Sequence, residues 1–101
     1  MKQFTTPEQT AKLIELGFTE PKYPRYELDI ANEQSPSLLN VKTLKDYTIG
    51  ELIEIMGYDL YSIHYKGLAW EVKSERVETS KSELVDALYA MIVKLKEEGV
   101  I

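Results

Sequence analysis

At three places along this chain, just ahead of an apolar run, a hydroxyl residue stands three positions before Glu or Gln: Thr6 with Gln9, Thr48 with Glu51, and Ser80 with Glu83. This is the spacing of a capping box. The hydroxyl accepts the N–H of the third helical residue, whose side chain accepts the N–H of the cap. Both donors would otherwise lack a partner. Three helix starts spread over 101 residues leave room only for short strands between them.

The runs that follow the boxes carry helical spacing. In "TTPEQTAKLIELG", Pro7 falls at the first helical position, where its missing N–H costs nothing. Leu13, Ile14 and Leu16, with Ala11, supply the apolar side; Gly17 offers a left-handed stop and Phe18 a step back into the core. In "YTIGELIEIMG", Ile49, Leu52, Ile53 and Met56 follow the i, i+3, i+4, i+7 pattern. Tyr47 and Leu52 are spaced for a hydrophobic staple, and Gly57 ends the run. Gly50 weakens its first turn by up to about 1 kcal/mol relative to Ala, and a close packing contact would explain it. The third run, "SKSELVDALYAMIVKLKEEG", is the longest. Leu84, Leu88, Met91, Ile92 and Leu95 form a stripe that Val85 and Tyr89 widen. So broad a band predicts contact with more than one element, a second subunit among the options. Lys94 and Lys96 suit the negative end of the helix dipole, and Gly99 is the stop.

Strands fill the gaps. "RYELDI" alternates Tyr26, Leu28 and Ile30 with Glu27 and Asp29, a strand with one wet face. "SLLNV" reads as a second short strand, and "ANEQSPS" between them as loop. Residues 59–74 read as a hairpin around Lys66-Gly67. With Tyr65 opposite Leu68, Ile63 meets Trp70 and Tyr61 meets Val72, and all six share one dry face. Leu60, Ser62, His64, Ala69, Glu71 and Lys73 take the other face. A two-residue loop would force positive φ on Lys66. A three-residue loop changes the pairing parity, whereas a four-residue loop from Tyr65 to Leu68 keeps it. In either odd-parity register Trp70 is expected as a core anchor.

Apolar residues make up 44% of the chain, enough for one buried core, so residues 1–101 are expected to form a single domain. The expected fold is α+β, a small antiparallel sheet of two to four strands against three helices, in the order α-β(β)-α-β-β-α.

Chemistry is sparse. Without cysteine there is no thiolate nucleophile, disulfide or sulfur-bound zinc. The single histidine, His64, falls diagonal to Glu71 in the expected register. That pair could act as an acid–base couple, but no nucleophile or oxyanion donor stands beside it in the sequence. Glu51 with Glu54, and Glu83 with Asp86, have carboxylate-site spacing but no histidine to complete a metal site, and read as solvated helix faces. No metal site and no cofactor is expected.

Charge points to partners. Residues 1–45 carry six basic and six acidic side chains, and residues 46–101 six basic and eleven acidic, so the whole net charge of −5 lies in the second half. No Lys/Arg cluster is present to meet phosphates, which argues against direct nucleic-acid binding. "MKQFTTPEQT" lacks the apolar core of a signal peptide, and no run has the eighteen or so apolar residues of a membrane span. A cytoplasmic location is expected. Seven tyrosines, large apolar groups with polar tips, are suited to interfaces. Tyr23, Arg25 and Tyr26 in "YPRY", with Tyr58 and Tyr89, are the interface candidates.

The stretches "FTTPEQTAKLIELGF", "YTIGELIEIM", "GLAWEV" and "SELVDALYAMIVKLKEEGVI" resemble small uncharacterised proteins of Bacteroides-type gut bacteria, often phage- or mobile-element-associated. The likeness covers roughly residues 4–18 and 47–101. It implies a bacterial or phage accessory protein and assigns no site residue. The functional expectation is a non-enzymatic protein-binding or regulatory accessory protein, with a protein partner or self-association. The alternatives are a small hydrolase or ligand-binding domain using His64 and Glu71, and an acidic nucleic-acid mimic that binds a basic protein.

Overall fold

A computed structural model describes residues 1–22, 25–30 and 39–101, with the backbone alone for 25–30 and 39–44. In chain order the elements are α1 (Pro7–Glu15), β1 (Arg25–Ile30), β2 (Leu39–Leu44), α2 (Ile49–Met56), a 3₁₀ turn (Gly57–Asp59), β3 (Ser62–Lys66), β4 (Ala69–Lys73), β5 (Glu78–Lys81) and α3 (Leu84–Glu97). This is the expected α+β arrangement with one added strand. A three-stranded antiparallel sheet, in the order β3-β4-β5, packs against the helices. β1 and β2 pair antiparallel in a sheet of their own, from Arg25 opposite Leu44 to Ile30 opposite Leu39. The second strand thus runs later than "SLLNV", and the expected loop "ANEQSPS" lies outside the described residues.

The first two capping boxes form as their spacing dictates. Gln9 N–H donates to Thr6 Oγ1 (3.1 Å) and Thr6 N–H to Gln9 Oε1 (2.9 Å). Glu51 N–H donates to Thr48 Oγ1 (3.1 Å) and Thr48 N–H to Glu51 Oε1 (3.2 Å). α1 ends in a six-to-one bond from Phe18 N–H to the Leu13 carbonyl, with Gly17 N–H on the Ile14 carbonyl. The buried face of α1 differs from expectation. Thr10 and Leu13 are buried, while Ala11 and Ile14 are exposed. The cause is a polar attachment: Thr10 is drawn inward by Asp46 and Thr5. A Cβ on Gly50 would meet nothing nearer than Thr48 Oγ1 at 3.9 Å, so close packing does not explain that glycine.

The third box does not form. Ser80 lies within β5, paired with Glu71 of β4, and α3 begins only at Leu84. Glu83 takes the cap position without a side-chain cap bond, and its carboxylate accepts Lys2 N–H instead (2.9 Å). Residues 78–81 complete more backbone hydrogen bonds as a third strand than a longer helix would leave them beside an unpaired edge. Thr79 then points inward and donates to the Ala87 carbonyl (2.8 Å), fastening β5 beneath α3.

The hairpin keeps the expected parity but slips by two residues. Tyr65 faces Trp70, Ile63 faces Val72, and the loop is Gly67-Leu68. Gly67 has φ of +67°, and among the described residues no non-glycine residue has positive φ. Positive φ at the first loop position alone is the type II′ pattern, which suits strand twist and spares Lys66 the strain. At the other end, Tyr61 N–H donates to the Lys73 carbonyl (2.9 Å), although Lys73 is already the partner of Ser62. Two residues share one partner, as in a β-bulge, and the alternation breaks there. Leu60 therefore turns toward the core and Tyr61 out to solvent, the reverse of the expected placement. Trp70 is only half-buried against the core; fully buried Val72 is the anchor of β4.

α3 accounts for its own broad stripe. It packs on α2, β4 and β5 together, burying Leu84, Val85, Leu88, Met91, Ile92 and Leu95. Leu13, Tyr47, Leu52, Met56 and Val72 close the same core. Tyr47 and Leu52, the expected staple pair, are both buried there.

Candidate interaction surface

β3 is an edge strand, and α3 covers β4 and β5 rather than β3. Its side chains are mostly exposed in consequence. Tyr65 is 55% exposed, Tyr61 66% and Leu68, at the loop tip, 87%; Tyr58, in the 3₁₀ turn leading to the strand, is fully exposed. The Tyr65 and Trp70 rings lie 4.9 Å apart at 52°, a tilted pair that holds both in place across the ladder. Residues 60–70 contain no carboxylate, in a chain with seventeen. The result is an acid-free strip along an open strand edge, in which exposed tyrosines and Leu68 stand among the polar Ser62, His64 and Lys66.

The interface candidates named from the sequence fall in different places. Tyr58 lies at one end of this strip. Tyr89 is half-buried against the core, beside a depression of about 440 Å³ lined also by Lys2, Gln9, Lys81 and Asp86. Arg25 and Tyr26 open β1, and Tyr23 lies outside the described residues. Sequence reading did not single out Tyr61, Tyr65 or Leu68 as surface groups, because it placed them on the dry face. The break in alternation at Tyr61 and the uncovered edge are both set by the tertiary fold.

His64 and Glu71 are directly opposite on the outer sheet face, not diagonal. They border a depression of about 300 Å³ with Ser62, Lys66 and Lys73. Among the described residues no hydrogen bond or ion pair joins the two, and no group of three or more His, Cys, Asp or Glu is placed to hold a metal ion. No helix among them is long and apolar enough to cross a membrane.

The carboxylates expected on solvated faces are partly structural. Glu51 is buried and accepts Lys22 N–H (2.9 Å) as well as its cap. Asp86 accepts from Lys2 Nζ (2.7 Å) and Gln9 Nε2 (2.8 Å). Burial alone would raise the Asp86 carboxyl, but these two hydrogen bonds and the charges of Lys2 and Lys81 outweigh it and hold the group below its ordinary value. Near Glu51, a cleft of about 250 Å³ reaches from Phe18 and Glu20 to Tyr47 and Glu54. The Tyr47 hydroxyl donates to the Thr19 carbonyl (2.5 Å). Burial, then the charges of Glu51 and Glu20, push that phenol up, so it stays a neutral donor.

No protein-family model matches the chain, and neither a curated protein nor a solved structure matches it.

Proposed function

We propose that this chain is a non-enzymatic protein-binding accessory protein that engages its partner along the β3 edge. The observation that carries the reading is the group of exposed large side chains at Tyr58, Tyr61, Tyr65 and Leu68 on and beside β3, whose outer edge pairs with no strand among the described residues. An open edge offers main-chain donors and acceptors to an incoming strand, and aromatic groups beside it add contact area at low entropy cost.

The test is capture from a lysate of the cells the protein comes from, comparing the native chain with a Tyr58→Ser/Tyr61→Ser/Leu68→Ser variant. All three positions are exposed, so the variant should melt within a few degrees of the native chain. The reading expects a stoichiometric partner that survives salt washing with the native chain and is lost with the variant. Equal capture by both chains would move the interface elsewhere.

A further inference from the structure

We infer that the occupant of the β3 edge is a second copy of this chain, joined by antiparallel β3–β3 pairing about a twofold axis at His64. The inference rests on the reading of that edge as an interaction surface and names its partner.

The backbone sets the register. Lys66 and Ala69 close a two-residue loop and are therefore a hydrogen-bonded pair. Alternation along an antiparallel ladder then makes His64 and Ser62 hydrogen-bonded to β4, and turns the N–H and C=O of Ile63 and Tyr65 outward. Two β3 strands related by a twofold at His64 bring Ile63 of each copy opposite Tyr65 of the other, and these are the residues with free backbone groups. Four main-chain hydrogen bonds can form without rearrangement. The isologous pairing also sets an aliphatic side chain against an aromatic one on the face carrying Trp70, a favourable cross-strand combination.

Charge favours a second copy over other partners. A protein of net charge −5 repels itself over most of its surface. Residues 60–70 are free of carboxylates, so self-repulsion is least there. In this register Lys66 faces Ser62, so no lysine opposes a lysine. A strongly acidic or strongly basic partner strand would find little complementary charge in the strip. The area is also of the right order. At about 200 Å² per large residue, the exposed parts of Tyr58, Tyr61, Tyr65 and Leu68 total roughly 600 Å² per copy, backbone included. A stable interface needs about 800 Å² from each partner. The product is one continuous six-stranded sheet, β5-β4-β3-β3-β4-β5, which leaves β3 without a free edge.

The chain has no cysteine, so an introduced one reports alone. In the inferred dimer the two His64 positions form a non-hydrogen-bonded pair with Cα atoms about 4.5 Å apart, within disulfide range. His64→Cys should therefore cross-link to a dimer under mild oxidation. Ser62→Cys and Lys66→Cys should cross-link when mixed with each other and poorly alone. Lys94→Cys, on α3, serves as the collision control. Sedimentation of the native chain should show a dimer rather than the 11.6 kDa monomer at micromolar concentration. Tyr65→Lys should weaken that dimer at least tenfold. A native chain that stays monomeric, or His64→Cys that cross-links no faster than the control, overturns self-pairing. Lysate capture judges the wider reading separately. A foreign partner lost with the triple variant, together with a monomeric native chain, keeps the edge as interface and removes the second copy. No capture and no dimer removes both.

Discussion

Thr10 holds together a buried chain of hydrogen bonds. Its hydroxyl donates to Asp46 Oδ1 (2.6 Å), so the 2.7 Å contact with Thr5 must be donated by Thr5, which in turn accepts Tyr47 N–H (3.0 Å). All of these residues are buried, and a carboxylate that loses a donor there keeps its desolvation cost. Thr10→Val, nearly the same shape, should therefore lower stability by about 1.5–3 kcal/mol in urea denaturation. Two glycines should respond in opposite directions. A Cβ on Gly50 would make only an ordinary van der Waals contact, with Thr48 Oγ1 at 3.9 Å, and its φ is not in the left-handed region, so Gly50→Ala should raise stability by about 0.4–1 kcal/mol. Gly99 ends α3 at φ of +74°, where an L side chain meets its own carbonyl, so Gly99→Ala should lower stability by about 1 kcal/mol. Asp86 adds a pH dependence. Its carboxyl is held below the unfolded value, so its stabilising effect is complete above the unfolded pKa of about 3.9 and is lost as pH falls through the folded one. Asp86→Asn should lose less stability than the native chain between neutral and acid pH, compared by urea midpoints in each buffer.

At the scale of elements, α1 and α2 were legible from their boxes because a capping box is a local event, complete within four residues and one turn. Ser80 with Glu83 has the same letters, yet the outcome depends on a distant strand. β4 presents a free edge, and residues 78–81 pair with it before the helix begins. The difference is measurable. Thr48→Ala should cost about 1 kcal/mol through loss of a real cap, whereas Ser80→Ala, exposed on β5, should stay within about 0.5 kcal/mol. The hairpin divides along the same line. The period-two pattern identified both strands and their parity, and Ile63, Trp70 and Val72 do share a face. The slip to a Gly67-Leu68 loop and the bulge at Tyr61 lie beyond that pattern, because parity is unchanged by a two-residue shift and a bulge depends on how the chain enters from α2.

Across the whole molecule, α3 is the element on which α2, β4 and β5 converge, and Leu88 lies fully buried at its centre. Leu88→Ala should cost roughly 3–5 kcal/mol, a loss that a shift in the thermal or urea midpoint would register across the fold. The exposed strip on β3 should behave in the opposite way, changing association while leaving the melt nearly in place. Sequence by itself determined the number and starts of the first two helices, the apolar stripe of α3, the two hairpin strands and the α+β class. Those follow from bonds and periodicities that close within a few residues. Only the tertiary structure decided that 78–81 is a strand, that Leu60 turns in and Tyr61 out, that Glu51 and Asp86 are tied into the fold, and that β3 is left uncovered. Each of those outcomes depends on which segments, far apart in the chain, compete for the same edge or the same buried space, and local spacing carries no record of that competition.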